Sequence, residues 1–123
     1  MATKLGIVLE RVTRLYTAVI KDEAGVVIPA AQIGTLTLTL YNKKTGAIVN
    51  SRTDVNILNA NGGAVDASGN LSFLFTPADM AILDTTVQSE IRVGLFEWTY
   101  GGGAKEGRHE IEFAVRNLGK VPA

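Results

Sequence analysis

In the stretch TLTLTLYN, Leu36, Leu38 and Leu40 alternate with Thr35, Thr37 and Thr39. This is the period of a strand with one buried aliphatic face and one hydroxyl-bearing face toward water. KKTG follows, with Gly46 placed for a tight turn, and AIVNSR runs back, so residues 35–52 are predicted to form a hairpin with its leucines inward. In DASGNLSFLF a turn leads into a strand whose Leu71, Phe73 and Phe75 share a face. HEIEFAVRN repeats the pattern, with His109, Ile111, Phe113 and Val115 on one side and Glu110, Glu112 and Arg116 on the other.

Three segments need more than alternation. TPAD carries a helix start, because Thr76 can cap free amides, Pro77 suits a first helical position and Asp79 sits where a capping-box acid belongs. One short helical turn is therefore predicted over 77–83, with Met80, Ile82 and Leu83 under the sheet edge. In EIRVGLFEWTY, Ile91, Val93 and Leu95 are in phase with Glu97 and Thr99, whereas Phe96, Trp98 and Tyr100 are in the opposite phase. Either a bulge near Gly94 shifts the phase and turns the aromatics inward, or both faces of the strand are covered; glycine inside a strand favours the bulge. At the start, RLYTAVIKDEAGVVIP reads as strand, turn at Asp22 to Gly25, and a short strand ended by Pro29. Residues 3–10 fit a helical stripe or an edge strand, and Ile7 and Val8 favour the extended form.

About seven or eight short strands with turns rich in Gly, Asn and Asp point to an all-β, antiparallel β-sandwich of immunoglobulin-like type, with a small closed barrel as its competitor. The 123 residues suit one domain, and 46% hydrophobic with 20% charged residues is a globular composition. Twelve basic residues balance twelve acidic ones, which removes the field that would gather a polyanion and leaves little repulsion between copies. Neither specific nucleic-acid binding nor a membrane span is expected. The sequence divides into an N-terminal arm or edge strand (1–12), a sandwich (13–117) and a C-terminal tail (118–123).

Cysteine is absent, so stability rests on packing and no thiol chemistry is open to the chain. The one histidine, His109, falls in phase with an apolar strand face, where a core or boundary role outweighs a catalytic one. Asp22, Glu23, Asp66 and Asn70 do not follow the alternation of a calcium loop, and turns recruit such residues for backbone reasons. GGGAKEG leads into a strand, which makes it a hairpin tip and not a phosphate cradle. No cofactor or metal is expected, and an enzyme is the least favoured class. FEWTY is either an exposed aromatic platform or core, and a lone tryptophan in a small sandwich favours core.

The order IKDEAGVVIP, QIGTLTLTLYN, DASGNLSFLFTPADM and EWTYGGGAKEGRHEIEFAV resembles the immunoglobulin-like domains of tailed-bacteriophage virion proteins, including the amino-terminal domains of upper baseplate proteins. The resemblance covers most of residues 15–117. It implies a non-enzymatic structural protein, made in the host bacterial cytoplasm and carried in the virion. Such a protein joins capsid, portal, neck or tail subunits by surface contact, in multiple copies per particle. Open edges and a glycine-rich tip suit that role, with Leu5, Ile7, Leu9, Arg11, Gly101, Gly102, Gly103 and Lys105 as the expected interaction residues. The alternative is a carbohydrate-binding or host-surface adhesion module using Phe96, Trp98 and Tyr100.

Overall fold

The alternation at Thr35–Leu40 forms a strand because every second residue is aliphatic, and Leu36, Leu38 and Leu40 are all fully buried. Burial of each such side chain contributes about 1.5–3 kcal/mol. The computed structural model describes residues 3–9, 11–83 and 86–117. It is all-β, with β1 (Thr3–Leu9), β2 (Arg14–Val19), β3 (Ile33–Asn42), β4 (Val55–Asn56), β5 (Gly63–Val65), β6 (Asn70–Phe75), β7 (Ser89–Tyr100) and β8 (Lys105–Arg116). One turn of 3-10 helix, Ala30–Gln32, precedes β3.

The strands form a five-stranded sheet in the order β1-β8-β7-β3-β4 and a three-stranded sheet in the order β2-β6-β5. Every pairing is antiparallel except that of β1 with β8, which is parallel. The core lies between the sheets. Tyr16, Leu71, Phe73 and Phe75 from the smaller one meet Leu36, Leu38, Leu40, Phe96, Ile111, Phe113 and Val115 from the larger. Tyr16 stacks on Phe96 at 5.4 Å, while Phe73 meets Phe96 and Phe75 meets Phe113 edge-on at 6.2 and 5.5 Å. Such aromatic pairs add about 0.5–1.5 kcal/mol each beyond area burial.

The bulge expected near Gly94 is absent. β7 pairs without a register shift from Ser89 to Tyr100 along β8, and its ladder with β3 is regular between Thr35 and Asn42. The even positions of β7 therefore face the core throughout. Gly94 is small for a packing reason: a Cβ there would lie 3.0 Å from Ile111 Cγ1 and 3.3 Å from its Cδ1. The odd positions face outward, and Val93 is nonetheless buried there. It lies between Tyr41 and Glu112 in the sheet, and Lys43 spans β7 to bond Glu112 at 3.0 Å. Glu97, also outward, pairs with Arg108 at 2.7 Å.

Two further expectations change. The turn after β3 forms, with Asn42 Oδ1 accepting the amides of Lys44 and Thr45, but the return is a single bridge, Tyr41 to Ile48, and not a full hairpin strand. Left-handed backbone at Asn50, Ser51 and Asp54 breaks it. The helical turn over 77–83 is also absent: residues 77–80 make a hydrogen-bonded turn. Asp79 does accept the Thr76 amide, the acid half of a capping box, while the Thr76 hydroxyl donates to the same carboxylate and does not cap the Asp79 amide, which bonds the Thr76 carbonyl. In place of a helical ladder, the Arg92 guanidinium donates to the carbonyls of Asp79 and Ala81, and the Leu83 amide, which would close the next turn on Asp79, goes to Glu90.

Candidate functional site

Charged side chains enter the interior at one end of the sandwich, where β7 begins and the segment after β6 crosses it. Asp79 is 0% exposed, and Arg52 grips its carboxylate with Nε at 2.7 Å and the second guanidinium nitrogen at 3.0 Å. Asn50 Nδ2, the Thr76 amide and the Thr76 hydroxyl donate to the same carboxylate at 2.9, 2.8 and 3.1 Å. Burial alone would raise this carboxyl's pKa; the bonds from Arg52, Asn50 and Thr76 outweigh it and hold the group below the ordinary carboxylate range. Arg52 also lies over the Phe73 ring at 5.1 Å.

Arg92, likewise 0% exposed, donates to the carbonyls of Asp79 and Ala81 and to Glu90 Oε1 at 2.7 Å. Glu90 Oε1 accepts the amide of Leu83 at 2.8 Å, and Asn42 reaches Glu90 Oε2 at 3.4 Å. The result is one buried network from residues 50–52 through 76–83 to β7. Its two carboxylates, those of Asp79 and Glu90, are hydrogen-bonded and shut off from solvent. That suits them to brace the segments they join.

A crevice of about 270 Å³ opens between β2 and the β7–β8 pair, with Tyr16, Ile20, Leu71, Phe96 and Trp98 as its apolar wall and Arg108 and His109 beside them. His109 faces inward opposite Phe96, the boundary place its phase implied. Trp98 lies against Gly107, where an added Cβ would come within 2.4 Å of the indole ring. Trp98 Nε1 and Arg92 Nε are buried donors without a hydrogen-bond partner among the described residues. Phe96 and Tyr100 are buried and Trp98 is half-buried, so FEWTY is core, as the lone tryptophan suggested.

At the other end of β7, the Tyr100 hydroxyl and Lys105 Nζ both donate to Glu23, the latter at 2.6 Å. Glu23 belongs to the turn between Lys21 and Val27, so this contact ties that turn to the β7–β8 tip. The bonds from Lys105 and Tyr100 bring the Glu23 carboxyl down to about 2 and raise both partners. The other turn acids serve the backbone: Asp22 accepts the amides of Ala24 and Val26, and Asp66 those of Ser68 and Asn70. Among the described residues no group of three or more His, Cys, Asp or Glu side chains is arranged to hold a metal.

The expected interaction residues fall in two places. Ile7 is 60% exposed on β1, Arg11 is exposed just beyond it, and the side chains of Leu5 and Leu9 lie outside those described. Gly101, Gly102 and Gly103 form the exposed turn of the β7–β8 hairpin, and Lys105 is held by Glu23. Sequence reasoning missed the Arg52–Asp79 and Arg92–Glu90 pairs. Their signal was present in β7, where Glu90 and Arg92 share the phase of Phe96, Trp98 and Tyr100.

Comparison with protein-family models, with curated proteins and with solved structures found no match for this chain.

Proposed function

We propose that the chain is a non-enzymatic structural protein of a tailed-phage virion, an immunoglobulin-like module that joins capsid, neck or tail proteins by surface contact. The strand order supports the immunoglobulin-like reading. On that reading the β2-β6-β5 sheet takes the places of strands B, E and D, and β8-β7-β3-β4 those of G, F, C and C′, with β1 added parallel to β8.

The observation that carries the assembly reading is the placement of exposed aliphatic side chains. Ile7 and Ile91 on the larger sheet, and Leu15, Val19 and Leu74 on the smaller, stand open, while the buried charges are spent bracing loops. Exposed aliphatics on sheet faces suit contact with neighbouring subunits. A carbohydrate platform would need Phe96, Trp98 and Tyr100 laid open to solvent, and all three turn inward. Deleting residues 2–12 and measuring incorporation into particles tests the arm's part, with loss of incorporation expected. Absence of the protein from purified particles would sink the virion reading as a whole.

A further inference from the structure

The edges of the two sheets are not equally protected. β4 spans two residues and β5 three, and β1 is interrupted by a register shift between Lys4 and Gly6. Short edges and irregular edges resist pairing with another chain. β2 has neither safeguard: its six residues pair with β6 in unbroken register and contain no proline.

The register of β6 shows which groups of β2 are open. Leu74 donates its amide to Gly62 on the β5 side, so Leu71, Phe73 and Phe75 turn their backbone groups toward β2. Their partners there are Ala18, Tyr16 and Arg14. Leu15, Thr17 and Val19 consequently direct their N–H and C=O groups away from the sheet, and their side chains are exposed as well, Leu15 at 59% and Val19 at 45%.

We propose that β2 is a self-association edge, at which a second copy of this chain adds its own β2 antiparallel across a two-fold axis at Thr17. This deepens the assembly reading by naming a surface and a partner. Leu15 then lies opposite Val19 of the second copy and Thr17 opposite Thr17. Each pair exchanges two backbone hydrogen bonds, and all three open residues are used. Leu74, which neighbours Leu15 across β6, extends the aliphatic row over the join. The charges agree with this register. Arg14 falls opposite Ile20, and Lys21 opposite Thr13, so no cation faces a cation, and the chain's zero net charge adds no long-range repulsion. The two three-stranded sheets become one continuous sheet in which both β2 edges are paired and only the short β5 edges remain.

Sedimentation velocity of the purified full chain over a concentration series tests this, with hydrogen exchange read at single amides. The expected result is a reversible doubling of mass, with protection at Leu15, Thr17 and Val19 that grows with concentration. Thr17→Lys sets two ammonium groups face to face on the axis at an exposed position, and Thr17→Pro deletes an amide that turns away from β6 and bonds none of the described residues. Each is expected to restore the monomer with an unchanged far-ultraviolet spectrum, and Thr17→Lys alone decides if the proline variant fails to fold. A monomer at every concentration, or a dimer that survives Thr17→Lys, overturns the proposal. Protection that appears only when another virion protein is added overturns it too, by giving the edge to a different partner. Failure here leaves particle incorporation intact, so it is distinguishable from failure of the virion reading.

Discussion

Replacing Asp79 by alanine tests whether the buried network braces the fold. Five donors converge on that carboxylate, two from Arg52, one from Asn50 and two from Thr76, and the group is wholly buried. Removing it leaves the Arg52 guanidinium, itself nearly buried, without its counter-charge and deprives the Thr76 amide and hydroxyl of their acceptor. Breaking a buried ion pair from one side costs about 3–5 kcal/mol. Against a total stability of about 5–15 kcal/mol, that is a large fraction. Arg52→Met should cost less, because Asp79 keeps three donors and the methionine still covers Phe73. The double variant Arg52→Met/Asp79→Leu should cost less than the sum of the two, with a coupling of about 0.5–3 kcal/mol.

Equilibrium unfolding in urea, followed by tryptophan fluorescence and circular dichroism together, reads these differences. A loss below about 1 kcal/mol for Asp79→Ala would place the network among ordinary surface effects and refute the bracing argument. The pH dependence supplies an independent arm. Asp79 has its carboxyl lowered in the fold, so its contribution is fully present above the ordinary value near 3.8 and is lost as pH falls below it. Acid unfolding should therefore be steeper in the parent than in the Arg52→Met/Asp79→Leu variant. Equal slopes would count against the assignment.

The remaining expectations concern the β7–β8 hairpin. Glu23 should titrate by carbon-detected NMR near 2, well below 4.5, because Lys105 and Tyr100 bond its ionised form, and Lys105→Met should move the midpoint back up. The turn-to-tip contact is then intact above about 4.5 and lost as pH falls toward 2, and a normal midpoint in the parent would show that the contact does not form in solution. Gly107→Ala places a methyl group within 2.4 Å of the Trp98 ring, so the ring must move. A destabilisation of about 1–3 kcal/mol is expected with altered tryptophan emission, and a silent substitution would show that Trp98 does not rest on Gly107.

Much of the core was legible because a strand with one wet face declares itself. Leu36, Leu38 and Leu40, then Leu71, Phe73 and Phe75, then Ile111, Phe113 and Val115 are all buried, on the phases their alternation implies. Of the candidate sites, the inward course of FEWTY and the boundary place of His109 were legible in the same way. The buried ion pairs were not, since Arg52 and Asp79 lie 27 residues apart and nothing local distinguishes them from surface charges. Thr76, Pro77 and Asp79 gave a true cap signal. The tertiary partners that replace the helical bonds, Arg92 on the Asp79 carbonyl and Glu90 on the Leu83 amide, come from β7 and lie outside that local signal.

β7 exposes the limit of reading phase from one strand. It lies between β8 and β3, both long, and its outer face carries Val93 beneath the Lys43–Glu112 contact, so both faces hold buried residues. In such a strand the odd set Ile91, Val93 and Leu95 and the even set Phe96, Trp98 and Tyr100 are each self-consistent, and a bulge is the natural way to reconcile them if one face must be wet. The bulge becomes unnecessary once Glu90 and Arg92 have partners inside. An inward charge that is paired and hydrogen-bonded costs far less than an unpaired one, and here much of the bonding comes from a loop after β6 that no pattern within β7 can announce. The same network that braces the pole thus permits a straight, unbroken β7, and that straightness sets every inward residue from Glu90 to Tyr100 on one face.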